Sequence, residues 1–202
     1  MKQFSRSACM ATGHRNVFFR GRARSAMRGF TLLELMVVLA IAAILMAVAV
    51  PSFALLIQKN RLATQTNAFI GDLQFARAEA IKQGQTVTVC ASSDGSSCLG
   101  TTTWNTGWIV FADPDNSKTR DTTKVTEAVL RRQAGWTASD TFTASNSIAA
   151  ISYSRDGFAL GLTGTITLAM RTNPSNAQTT RCVTLSLVGR PQVVSPNGSN
   201  CT

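Results

Sequence analysis

Histidine is almost missing from this chain: His14 is the single one in 202 residues. Beyond the first 29 positions there is therefore no imidazole for a Ser-His-Asp arrangement, and none for a histidine metal site. Cysteine pairs at C-x2-C spacing are also lacking, which removes the common zinc-ribbon pattern. Acidic residues number only 10 against 20 Lys and Arg, and charged residues make up 15% of the chain, so an acidic disordered tail is excluded. Serine and threonine are plentiful but have no base partner, and with the thiols oxidised no nucleophile remains. The chain reads as a non-enzyme that needs no cofactor or metal.

The net charge of +10 suggests a polyanionic partner until its placement is considered. Lys2, Arg6, Arg15, Arg20, Arg22, Arg24 and Arg28 stand in the first 29 residues with no acid among them. The remaining chain has 13 basic and 10 acidic side chains, a surplus of +3. A basic N-terminal stretch of this kind is a targeting feature.

An apolar run follows from Phe30 to Val50, 21 residues with one charge, Glu34. As a helix it reaches about 31 Å, the thickness of a bilayer's hydrocarbon core. The arginines before it hold its N-terminal side in the cytoplasm and send residues 51–202 outward. A cleavable secretory signal is the competing reading, with Ala47-Val48-Ala49 as its site. Its apolar region is normally 7–15 residues and gains nothing from a carboxylate. Inside a membrane helix a charge costs about 2.5–3.5 kcal/mol, so Glu34 requires a compensating group. Cleavage between Gly29 and Phe30 supplies one, because the new α-amine lies one helical turn from Glu34. Paired between neighbouring chains, the two charges make the helix an assembly device.

Gly29-Phe30-Thr31-Leu32-Leu33-Glu34-Leu35-Met36-Val37-Val38 resembles the prepilin motif of type IV pilins and type II secretion pseudopilins. The resemblance implies that a prepilin peptidase cuts after Gly29 and that Phe30 becomes N-methylated. It also implies that Glu34 pairs with a neighbouring subunit's N-terminus in the filament, and that Pro51 is the helix-kinking proline. Residues 1–29 are then a leader, with Met1, Met10 and Met27 as alternative starts and one mature chain from all three.

From Pro51 to Gln83 the pattern stays helical, with Leu62, Phe69, Leu73, Ala76 and Ala80 on one face and Gly84 as the stop. Beyond Gly84 a period of two marks strands at 86–90, 107–111, 127–131, 150–153, 165–169 and 182–188. The expected fold is α+β and type IV pilin-like: a long kinked N-terminal helix, transmembrane over residues 30–50 and head-packing over 51–83, on an antiparallel β-rich head, residues 84–202. The runs Ala76–Gly84, Val87–Cys90, Gly107–Phe111 and Cys182–Arg190 further resemble the GspH/FimT branch of these proteins. That implies a minor pilin or pseudopilin: inner membrane, single pass, head in the periplasm, with other filament subunits and the peptidase as partners. Type II secretion system and type IV pilus both use such subunits.

Cys90, Cys98, Cys182 and Cys201 lie outside the leader, and three pairings are possible. The expected one is Cys90 with Cys98, around the Asp94-Gly95 turn, and Cys182 with Cys201, fastening the tail. Trp108 and Phe111 are expected in the core, whereas Trp104 and Trp136 lie near turns and are left open. Asp113-Pro-Asp115-Asn-Ser117-Lys-Thr-Arg-Asp121 has a calcium loop's oxygen spacing, but Lys118 and Lys124 replace its glycine and its glutamate, so a turn is the default. DNA is the alternative partner. Residues 131–202 hold six arginines against Asp140 and Asp156, a local +4, and arginines grip phosphates without reading sequence. In the FimT-type relatives a C-terminal Gly-Arg-x-Arg element is implicated in DNA uptake. Gly189-Arg190-Pro191-Gln192 keeps the first arginine and not the second, leaving Arg181 and Arg190 as the DNA-contact candidates.

Overall fold

A computed structural model describes residues 29–136 and 139–201. They fall into two units, one ending at Ile44 and one running from Leu45 onward. The first unit is apolar helix. In the second, the head-packing part of α1 (Leu32–Gln83) lies on nine strands.

The α1 stripe repeats every three to four residues. Leu62, Phe69, Leu73, Ala76 and Ala80 are fully buried, and Thr66 fills the one gap in the series. Thr66 is accommodated because its hydroxyl donates to the Leu62 carbonyl at 2.7 Å, which satisfies it inside the helix's own turn. Pro51 stands within α1. Lacking an N–H, it leaves the Ala47 carbonyl without its usual donor. The helix stops at Gly84, whose φ of +66° is the left-handed cap that glycine takes without strain.

Two antiparallel sheets complete the head. The first has the order β3-β2-β1-β5-β6, from β1 (Val87–Ala91), β2 (Gly107–Ala112), β3 (Val129–Ala134), β5 (Ala150–Tyr153) and β6 (Ala159–Leu160). The second has the order β4-β7-β8-β9, from β4 (Thr141–Ala144), β7 (Ile166–Arg171), β8 (Thr180–Leu185) and β9 (Pro191–Val194). Phe69 joins the layers. Its ring meets Trp104, Trp108 and Phe142 edge-on at 5.6, 5.2 and 4.7 Å between centroids. Trp104 and Trp108 are both buried, and Trp136 stacks on Phe142 at 5.4 Å.

Three differences from the sequence expectation stand out. Strands β4, β6 and β9 have no alternating run long enough to announce them; β6 is two residues. The strand expected at 182–188 starts at Thr180 and ends at Leu185, because Ser186–Gly189 forms a turn with Gly189 at φ +75°. The strand expected at 127–131 runs from Val129 to Ala134, and Glu127 lies in the loop before it with its side chain buried. Strands β1 and β2 are buried on both faces: Cys98, Val129 and Ala150 pack on Cys90, Ile109 and Phe111, and Asp113 takes the Thr88 hydroxyl. Cys90 is bonded to Cys98 and Cys182 to Cys201.

Candidate functional site

Phe30 and the helix after it are open to the surroundings: Phe30 is 78% exposed, and large apolar side chains stay exposed through Ile57. Among the described residues, α1 is the one helix long and apolar enough to cross a membrane, and its apolar stretch is unburied. Thr31 begins it. Its hydroxyl accepts the Glu34 backbone N–H at 3.2 Å, and its carbonyl accepts that of Leu35 at 3.2 Å. Thr31-Leu-Leu-Glu34 is thus spaced as a capping box, with Glu34 in the first turn, where the helix dipole favours an anion. No other described residue pairs with the Glu34 carboxylate. An amine on Phe30, or on a neighbour, can take that position. Gly29 lies before the helix, in a backbone without regular structure.

Of the six arginines behind the DNA reading, Arg131 and Arg171 are engaged within the fold, and the two contact candidates, Arg181 and Arg190, are set apart. Arg131 Nη1 donates to Asp72 Oδ1 at 3.1 Å, and its guanidinium lies 3.8 Å from the centre of the Phe75 ring. Arg171 Nε donates to the Ser199 carbonyl at 2.9 Å and holds the tail. Arg181 donates to its neighbour's carbonyl, Thr180 O, at 3.1 Å. The β8–β9 pairing sets Cys182 opposite Val194 and Leu185 opposite Pro191, so Arg181 and Arg190 stand at opposite ends of that hairpin. Five strand residues separate their levels, about 16 Å. The fold does not gather a phosphate-binding cluster from these side chains, and Gly189 has a packing reason of its own: a Cβ there would stand 2.6 Å from the Gly157 carbonyl oxygen.

The 113–127 loop carries its own cation. Lys124 Nζ lies 2.6 Å from Asp115 Oδ2 and 3.0 Å from Glu127 Oε1, so Asp115 is already neutralised by a side chain of the loop itself. Hydrogen bonding to Lys124 holds the Asp115 carboxyl well below its ordinary range, and the same contact raises the lysine. Asp113 faces inward, not into solvent as a turn residue would. Its carboxylate accepts the Thr88 hydroxyl at 2.6 Å and the N–H groups of Ser117 and Lys118 at 3.0 Å each, while burial pushes its pKa up.

Two buried carboxylates escape a sequence reading of charge. Asp140 takes a bidentate contact from Arg61, 2.9 and 2.7 Å, and Asp72 accepts both the Trp108 indole N–H at 2.8 Å and Arg131. Each ties α1 to the head. The signal available for Asp72 was its place three residues after Phe69, on the apolar stripe.

Two family profiles match the chain: Type II transport protein GspH over residues 65–189, and the prokaryotic N-terminal methylation motif over residues 24–50. No curated protein sequence matches it. Among solved structures it is similar to the type IV minor pilin FimU of Pseudomonas aeruginosa strain PAO1, in the crystal form of space group P21. Identity is 21% and the TM-score 0.54, covering 69% of this chain and 96% of that one. A second FimU crystal form, P65, aligns at 20% identity with a TM-score of 0.48, over 70% and 97% of the two chains. The FimU likeness concerns the fold: a long helix packed on antiparallel sheets.

Proposed function

The chain belongs to the GspH family of type II transport proteins, among the minor pilins and pseudopilins of the type IV pilin superfamily, and we propose that it is a structural subunit without catalytic activity, built at low copy into a filament. In this reading a prepilin peptidase removes residues 1–29 and Phe30 is then N-methylated. Residues 30–50 cross the inner membrane once, and the head, carried on residues 51–83, stands in the periplasm. Pro51 is the point at which α1 bends. The filament serves protein secretion or pilus biogenesis.

One observation carries the reading: an unburied apolar segment, residues 30–50, whose single carboxylate, Glu34, has no partner among the described residues. A carboxylate left alone in hydrocarbon is costly, and a neighbour's α-amine both neutralises it and sets the axial register of the two helices. The DNA-receptor alternative has no comparable support, since its two candidate arginines are set apart.

Shearing or fractionation of cells producing Glu34→Ala tests the reading. The variant is expected to be cut normally and to stay in the membrane, with little reaching the filament. Normal incorporation would contradict the role given to Glu34. Gly29→Glu is expected to stay uncut, because a bulky charged side chain replaces hydrogen at the scissile bond, and unchanged processing would contradict the peptidase assignment.

A further inference from the structure

The end of the head around the last turn of α1 presents apolar and basic groups that the fold itself does not use. Three segments converge there. Gly157, at φ +81°, is so closely packed that a Cβ on it would lie 3.0 Å from Ile81 Cδ1 and 3.1 Å from Arg77 Nε. Gly189 presses on the Gly157 carbonyl and on the Tyr153 ring, and the Ala159 N–H donates to the Leu187 carbonyl at 3.1 Å. These contacts bring together Ile81 from α1, Phe158 from the 154–158 turn, and Leu187 and Val188 from the 186–189 turn. All four are about half exposed, at 53, 52, 48 and 52%.

Next to the two glycines, two polar groups are left unpartnered. Arg77 Nε is buried without an acceptor among the described residues, and so is the hydroxyl of fully buried Tyr153. The two are close enough that the Arg77 charge works against the strong upward push of burial on the tyrosine's pKa. Arg155 and Arg190 are exposed on the same two turns. Of the nearby acids, Asp156 is exposed, and Glu79 already accepts from Lys82 and Gln83.

We propose that this surface docks the head of a different filament subunit, one that presents apolar side chains flanked by carboxylates. The proposal rests on the reading of the chain as a filament subunit. Four half-exposed apolar side chains on converging segments, with the exposed Arg155 and Arg190 beside them, favour a contact that is dry at its centre and acidic at its rim. A polyanion such as DNA would meet the arginines and leave the apolar centre wet. A second copy is a poor match, because the exposed acids of the 113–127 loop are already engaged: Asp115 by Lys124 and Asp121 by Thr123. The partner is thus defined by chemistry as an acidic, apolar-centred protein face.

The experiment places a photo-crosslinking benzoylphenylalanine at position 158 of the full chain in cells that make the filament. Irradiation is expected to give one adduct with another protein carrying an N-terminal methylation motif. The same probe at Val125, which is 94% exposed on the 113–127 loop, should give none. Arg155→Glu with Arg190→Glu is expected to cut the adduct about tenfold, with the unfolding transition unchanged. An adduct with the chain itself or with nucleic acid, equal labelling from position 125, or no adduct would overturn the proposal. So would an adduct indifferent to the charge reversals. Incorporation of the probe-bearing chain into sheared filaments is scored in the same cells. Intact incorporation without the adduct rejects the docking surface alone, whereas failed incorporation counts against the function proposed above.

Discussion

Truncating Phe69 to alanine removes the ring on which both sheets and the helix converge. A buried Phe→Ala change costs about 3–5 kcal/mol when its cavity stays open. Here three rings from different elements, Trp104, Trp108 and Phe142, stand edge-on around it and are fixed by their own neighbours, so collapse into the gap is hindered. Each edge-to-face contact adds about 0.5–1.5 kcal/mol beyond area. The expected cost is therefore at the upper end, about 4–5 kcal/mol, a large part of the roughly 5–15 kcal/mol available to a domain. Phe69→Leu, which keeps most of the volume, should lose about 1–2 kcal/mol. Urea unfolding of the full chain in detergent, disulfides intact, followed by tryptophan fluorescence, measures both. A Phe69→Ala loss below about 1 kcal/mol would refute the claim that this ring centres the core.

Asp72→Ala strands the Trp108 indole N–H in a buried site and should cost about 2–3 kcal/mol, while Asp72→Asn keeps an acceptor and should cost about 1 kcal/mol. Equal losses in urea unfolding would mean that the Arg131 charge, not the indole, governs the site. Asp94 is held below its ordinary pKa first by the Ser97 N–H, then by the Ser97 hydroxyl and the Ser96 N–H, so it favours the fold above its unfolded pKa and ceases to as pH falls through its folded value. Asp113, raised by burial, acts in the opposite direction and loses its contribution as pH rises through its folded value. Melting curves between pH about 6 and about 2.5 should show Asp94→Asn with a flatter acid limb than the parent, and an identical limb would remove Asp94 from the account. Cys201→Ser releases the tail that Arg171 holds at Ser199, with an expected loss of about 2–4 kcal/mol in urea unfolding.

Much of the fold is written locally. The motif from Gly29 to Val50 is contiguous, the stripe from Leu62 to Ala80 follows helical spacing, and Gly84 ends the helix by its own conformational freedom. The pilin-like α+β architecture could be read from those runs and the alternating strands. What could not be read depends on partners distant in sequence. Arg131 and Asp72 are 59 positions apart and Arg61 and Asp140 are 79, so a count of charges treats them as free. The 113–127 loop resembled an oxygen-lined cation site because its spacing is visible, whereas Thr88 holding Asp113 from a neighbouring strand is not. The apolar patch at Ile81, Phe158, Leu187 and Val188 joins three segments, and no window of sequence contains it.

The central claim, a leader cut after Gly29 and a filament joined through the new terminus, is tested most directly by the intact mass and N-terminal fragments of the protein recovered from cells. The account predicts a chain that starts at Phe30 with one methyl group on its α-amine. A chain that starts after Ala49, or one that keeps residues before Phe30, would contradict it.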